Sequence, residues 1–463
     1  MRQRERDDLL ATFEDLFVVN RTNTIVECAM PELSILRGHL LDAGKTEPVS
    51  IPDGVLVMEN GSIKAKGTAT DIGKSHPGLP LPNRNDAGYP VILPGLVDIH
   101  AHLPQYPAVA RPEESLLPWL KRHIFPLESG FRGAETASVI EAFFDEQLAC
   151  GTTTIVLYGA IWEDTCDLAF QIAERRGLRL VLGKVMMDDG TYGDLPADEA
   201  LDLSLEQTDR LAEKWHGANN GLLEYAVSPR FAVTCSREMM EGAAHLARKH
   251  DCFIQTHLSE NHGEIQAVAQ RFPWAKDYTD VYDQCGLLGN KTILGHGIHL
   301  SDREIDTLSA RGSILAHCPT SNLFLNSGLL PMDRLRSAGV RTCLASDVAG
   351  GPELNMWQVM RSAIEIQKAR RFTDPDVPEF TPTEAFRQCT SEAGAALQHP
   401  TGTLDVGSDA DLTVFDLDAV LPYGGKLTDK ASLTAEDLLA LLVYRGQPVA
   451  CTAAYVAGNK VTP

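Results

Sequence analysis

Two histidines, His100 and His102, lie two residues apart in the stretch LVDIHAH. Side chains at i and i+2 of a β-strand project to one face, so both imidazoles can reach a single ion. An isolated pair of this kind more often means two polar residues leaving a strand. Here, further groups of ligand or proton-transfer type end other apolar runs: His257 and Glu260 in CFIQTHLSE, His296 in TILGHGIHL and Asp347 in RTCLASDVAG. Three imidazoles and a carboxylate, from His100, His102, His257 and Asp347, suit Zn2+, and imidazole also accepts Fe or Ni. A site of this type with one open position lowers the pKa of a water from about 15.7 towards 7. Glu260, three residues beyond His257, can move a proton between that water and a substrate. His296 can hydrogen-bond the water and stabilise charge as it develops. Plainer readings stand beside these. Asp347 can be a helix N-cap before AGGPELNMW, Glu260 a solvated loop charge, and His296 a satisfied core histidine. Other zinc patterns fail: there is no HExxH, no HxE followed by PCxxC, and no second thiol near Cys318.

These residues need a scaffold that brings strand ends together. Between positions 94 and 400, eight short apolar, β-rich runs alternate with helical patterns, at 96–102, 152–159, 178–188, 223–231, 252–260, 292–300, 313–322 and 341–350. In ETASVIEAFFDEQLA, Val139 and Phe143, and Ile140 and Phe144, are spaced four apart as on one helix face, ahead of Gly151. SDRE at 301–304 and TPTE at 381–384 have capping-box spacing, the latter with Pro382 at the first helical position. Eight strand–helix units in one segment predict an α/β fold, a (β/α)8 barrel with its site at the C-terminal strand ends. A doubly wound open sheet is the alternative, though no GxGxxG follows any run. Residues 1–93 and 401–463 read as short strands and turns, including a strand over 17–26 and the hairpin GVLVMENGSIKAKG around Asn60-Gly61. They are expected to form one small β-sandwich domain from both termini. The stretch 188–220 reads equally as a helix pair or a lid.

Composition narrows the partners. With 41 basic and 63 acidic residues the net charge is −22 over 463 residues. That balance argues against nucleic acid and anionic membranes, but not against a neutral, base-sized molecule. No apolar run of about 18 residues predicts a membrane span, and MRQRERDDLL lacks the apolar stretch of a signal peptide. The ten cysteines include no CxxC pair and suit reduced thiols in the cytoplasm.

PGLVDIHAH, with HLSE, the histidine of LGHG and the aspartate of SDVAGG, resembles the amidohydrolase superfamily. Within it, HLPQY (102–106), LPWLKRHIFP (117–126), SPRF (228–231), HCPTSN (317–322) and SDVAGG (346–351) are similar to the guanine deaminases. The resemblance spans about residues 90 to 400. It implies hydrolytic deamination of guanine to xanthine and ammonia by a zinc-activated water. His100, His102, His257 and Asp347 would hold one zinc (iron being the alternative), Glu260 would shuttle the proton, and His296 and Asp347 would activate the water. Gln105 and Arg230 would hydrogen-bond the purine and Phe231 would pack on its ring. An arginine fork can donate to guanine O6 and N7, and a phenyl face offers a stacking surface. A surface salt bridge for Arg230 and core packing for Phe231 are the bland counterparts. Trp119 reads as pocket lining or as a core tryptophan. Many relatives bridge two metals with a carboxylated lysine from the fourth strand. Here the fourth run has none and Lys184 lies in the third, which favours a single metal. The resemblance also implies a homodimer acting on a small purine. Alternatives are a deaminase of another aromatic amine, such as 8-oxoguanine, a pterin or an aminotriazine, and a non-catalytic barrel scaffold.

Overall fold

The computed structural model describes residues 33–83, 90–189 and 195–461. The expectations placed on the N-terminal ten residues, on the strand at 17–26 and on 190–194 of the 188–220 stretch lie outside the described residues. Strands are numbered in chain order: β1 Leu33–Asp42, β2 Val49–Glu59, β3 Ser62–Thr68, β4 Pro90–Pro94, β5 Leu96–His102, β6 Thr152–Tyr158, β7 Arg179–Gly183, β8 Val185–Met186, β9 Leu223–Pro229, β10 Phe253–Leu258, β11 Thr292–His296, β12 Ile314–His317, β13 Arg341–Leu344, β14 Leu412–Asp416, β15 Cys451–Val456 and β16 Asn459–Val461.

Strands β5 to β13 are parallel and follow the order β5-β6-β7-β9-β10-β11-β12-β13, with β8 pairing β9. Every run expected as a barrel strand contributes to this sheet, the third split into β7 and β8. The circle is drawn shut by the segment after β13: Asp347 N–H donates to His100 O at 2.9 Å and His102 N–H to Val348 O at 2.8 Å. Such strands are buried on both faces, which is why they read as near-continuous apolar runs. Val156, Val181, Ala226, Phe253 and Ile293 fill the interior with Val97 and Ile99. Leu157, Leu180, Leu294 and Leu315 pack outward under the helices.

The helix signals hold. The capping boxes Ser301/Glu304 and Thr381/Glu384 form, heading helices Asp302–Arg311 and Pro382–Gln388. Helix Ala137–Ala149 buries Ile140, Phe143 and Phe144. In the described part of 188–220 stand one 19-residue helix, Ala197–Trp215, and a single turn, Ala218–Gly221.

Both ends of the chain build a second sheet. The expected sandwich takes the form of one continuous seven-stranded sheet, β16-β15-β14-β4-β1-β2-β3. The β2–β3 hairpin turns at Asn60-Gly61, where φ is +50° and +80°, the backbone that favours Asn-Gly in tight hairpins. Arg179, at the start of β7, ties this sheet to the barrel through Asp411 and Asp409, each at 2.6 Å. Among the described residues no helix is long and apolar enough to cross a membrane.

Candidate active site

His100 and His102 share a face by strand alternation, and they face inward together with Ile99 because β5 is irregular. Its register on β6 slips between Asp98 and Ala101. This bulge lets Val97 and Ile99 join the interior cluster while His100 and His102 still turn inward at the strand end. Bulges beside active sites re-aim side chains in this way. Across the barrel, β11 leaves room with Gly295, where an added Cβ would lie 2.8 Å from His100 Cε1. Ser259, His296 and Asp347 have φ of +46°, +70° and +50°. Non-glycine residues occupy this left-handed region at a cost, commonly at functional sites.

The ligand atoms of His100, His102, His257 and Asp347 all lie within 4.8 Å of one another. Asp347 Oδ1 is 3.2 Å from Nε2 of both His100 and His102, and His102 Nε2 is 3.1 Å from His257 Nε2. Both ring nitrogens of His100 and Nδ1 of His102 are buried without a hydrogen bond. His257 Nδ1–H donates to the Arg230 carbonyl at 2.6 Å, which leaves the Nε2 lone pair facing the cluster. Burial keeps these imidazoles neutral: it pushes His100 down to about 4, lowers His102, and holds His257 well below its ordinary value. Burial opposes ionisation of Asp347, but the adjoining imidazoles of His100 and His102 and the charge of His296 hold its carboxyl well below the carboxylate range. Neutral nitrogens and one carboxylate, with buried nitrogens lacking protein partners, fit a divalent transition metal. A second set, His100, His296, Cys318 and Asp347, shares two of these residues. Its thiol is the weaker donor, because burial raises Cys318 far above its ordinary value. Lys184 is turned elsewhere, its Nζ donating to Ser204 Oγ and to the Val185 carbonyl, both at 3.3 Å.

Glu260 is 3 % exposed, so the solvated-loop reading fails. Its Oε1 accepts from Ser327 Oγ–H at 2.8 Å and its Oε2 lies 3.4 Å from His296 Nε2. Burial raises its carboxyl to about 7, against the lowering pull of His296. His296 is buried, and Asn322 Oδ1 lies 2.9 Å from its Nδ1. Burial lowers the imidazole, but Glu260 and Asp347 outweigh it and raise it overall. The site thus pairs a neutralisable carboxyl with a chargeable imidazole, the combination that proton transfer near pH 7 needs.

Gln105, Arg230 and Phe231 stand on the wall of the same pocket as His257, Glu260 and Asp347. Gln105 sits in the 3-10 segment Leu103–Ala108 directly after β5, and Arg230 directly follows β9. The Phe231 ring centre is 6.2 Å from that of His257. Trp119 is both pocket lining and buried, its indole N–H donating to the Arg111 carbonyl at 2.9 Å. Sequence reasoning missed Glu128, Ser327 and the apolar residues Leu116 and Leu325 that also face the pocket or its polar groups, and gave no role to Leu120 within LPWLKRHIFP. Asn322 lay within the HCPTSN motif without a role.

The amidohydrolase family model matches residues 91–461. The guanine deaminase of Rattus norvegicus is 32% identical over 440 residues, covering 93% of each chain. The guanine deaminase of Escherichia coli K12 is 33% identical over 442 residues, covering 93% of this chain and 98% of its own. A solved guanine deaminase from C. acetobutylicum, with guanine bound in its active site, superposes with a TM-score of 0.85 at 28% identity, covering 93% of this chain and all of that one. The fold, the site and these likenesses agree: the chain belongs to the amidohydrolase family, among its guanine deaminases.

Proposed function

We infer that the chain hydrolyses guanine: water adds at C2, the 2-amino group leaves as ammonia, and xanthine remains. One observation carries this reading beyond the likenesses. The donors of Arg230, the amide of Gln105 and the ring of Phe231 line the pocket that also holds Glu260 and Asp347. His100, His102, His257 and Asp347 would hold one zinc. A cation bound there supplies Lewis acidity, making water a competent nucleophile at neutral pH.

The chain's own residues supply the rest. Arg230 N–H groups meet O6 and N7, Gln105 fixes the in-plane orientation, and Phe231 covers one face. Glu260 accepts a proton from the attacking water and delivers it to N3, so C2 becomes more electrophilic and the ring avoids full negative charge. Its carboxyl, raised to about 7, serves both halves of that transfer. His296, held by Asn322, stabilises the developing charge and, with Asp347, orients the water. Glu260 then takes the remaining O–H proton of the tetrahedral adduct and passes it to the 2-amino group, so that the C2–N bond breaks and ammonia leaves as the C2 carbonyl forms. Leu116, Trp119, Leu120 and Leu325 limit water at the ring.

The reading extends to one zinc per chain, a homodimer, no nucleic-acid or membrane partner, and the cytoplasm, a setting that suits nine described cysteines that are all free. The test is a spectrophotometric screen of purified protein against guanine, 8-oxoguanine, adenine, cytosine and pterins, with metal analysis alongside. Guanine should be the fastest substrate. Turnover of another amine with guanine untouched would overturn the reading.

A further inference from the structure

Glu128 lies in helix Phe125–Gly130, is 4 % exposed, and stands behind the recognition wall. Its two carboxylate oxygens divide their work. Oε1 accepts from Gln105 Nε2–H at 2.9 Å, and Oε2 pairs with Arg230 Nη1. The neighbouring Phe125 ring lies under the Arg230 guanidinium, 5.3 Å from its Cζ. A carboxylate only accepts hydrogen bonds. The amide group facing it must therefore be the NH2 end of Gln105, which fixes the orientation of the amide. Gln105 Oε1 is left buried without a protein partner, on a residue that lines the pocket. Buried acceptors are almost always satisfied, so one that is not points to a ligand donor.

We propose that Glu128 is a positioning residue that sets the polarity of the recognition wall. It holds Gln105 with its oxygen presented to the ring and Arg230 with its remaining N–H groups beside it. The wall then takes a heterocycle offering an N–H to Gln105 and acceptor atoms to Arg230. Guanine meets this pattern with a ring N–H and with O6 and N7. A purine carrying an amino group at C6 sets a donor against the arginine. The inference rests on the assignment of Gln105 and Arg230 to guanine.

The test compares guanine with 2,6-diaminopurine, which keeps the 2-amino leaving group and inverts the C6 edge. Wild type should prefer guanine by about tenfold or more, the worth of a hydrogen bond to a charged group. In Glu128→Gln the new amide can face Gln105 with either end, so the orientation is released. Guanine KM should rise about ten- to a hundredfold, kcat should change far less, and the preference over 2,6-diaminopurine should fall in step with KM. Glu128→Asp, which keeps the charge but reaches only one partner, should lie between. Metal content and Tm identify folded, loaded samples of each. A folded variant with wild-type KM and preference overturns the proposal, as does equal loss of turnover on both purines through kcat alone. Wild type that turns over guanine without discriminating against 2,6-diaminopurine also overturns it, independently of how the variants fold, and leaves the guanine reading standing. Wild type inert towards guanine removes both.

Discussion

The two ends of the barrel each bury a charged cluster, and they treat it in opposite ways. At the N-terminal end, Arg179 spans Asp411 and Asp409, and Asp411 also accepts from Thr401 Oγ1–H and from the Ala457 backbone N–H. Donors and acceptors there are matched within the protein. At the C-terminal end, His100, His102 and Gln105 keep buried atoms without partners, and Glu260 holds a carboxyl displaced to about 7. Satisfied polarity joins two sheets, whereas unsatisfied polarity waits for something from outside. In barrels of this class the first end serves stability and the second chemistry.

Removing a ligand should have the largest effect on this contrast. His102→Ala is expected to lose bound metal and turnover together, measured by elemental analysis and guanine assay; retention of stoichiometric metal at full activity would take His102 out of the site. Next, Glu260→Gln should keep its metal and lose about 10^2- to 10^4-fold in kcat, the usual worth of a positioned acid–base group. Near wild-type turnover would end the proton-transfer assignment.

The N-terminal end should respond in stability alone. Arg179→Met strands the buried Asp411 carboxylate and should cost about 3–5 kcal/mol in a denaturant titration, with kcat per folded molecule unchanged. A variant as stable as wild type but slow in turnover would reverse the roles given to the two ends.

Two smaller effects sharpen the comparison. Glu260 ionises at about 7 in the fold against its ordinary 4.5. An acid with a raised folded pKa adds nothing below the lower value; its penalty grows between 4.5 and 7 and is then constant. Metal-free Glu260→Gln should therefore melt above metal-free wild type at pH 8, with the gap closing towards pH 5. A gap that widens on acidification would contradict the assigned burial. The smallest change is expected of Trp119→Phe, which gives up one hydrogen bond to the Arg111 carbonyl, about 1 kcal/mol; guanine KM should move by less than tenfold.

The barrel was legible because strands buried on both faces advertise themselves as apolar runs, and because capping boxes mark helix starts locally. The metal-type set was legible for a related reason: its members close those runs. What stayed hidden depends on distant partners or on backbone angles. LVDIHAH does not reveal the register slip that lets Ile99 and His100 both face inward. Nothing local to Ser259, His296 or Asp347 forces a left-handed backbone. Glu128 reads as one more charge after LKRHIFPL, since its burial is decided by an arginine 102 positions away. Ser327 reads as a loop hydroxyl until Glu260 is found beside it.

Arg230 joins the two halves of the pocket by different parts of itself. Its carbonyl holds the His257 ring, and its guanidinium reaches Glu128 and the recognition wall. Only the second of these is encoded by the side chain. On the assignment proposed for Arg230, exchanging its side chain would alter the molecule recognised, while a backbone carbonyl able to orient His257 is present whatever side chain stands there. Under that assignment, hydrolytic power and substrate choice would be separately heritable at one codon.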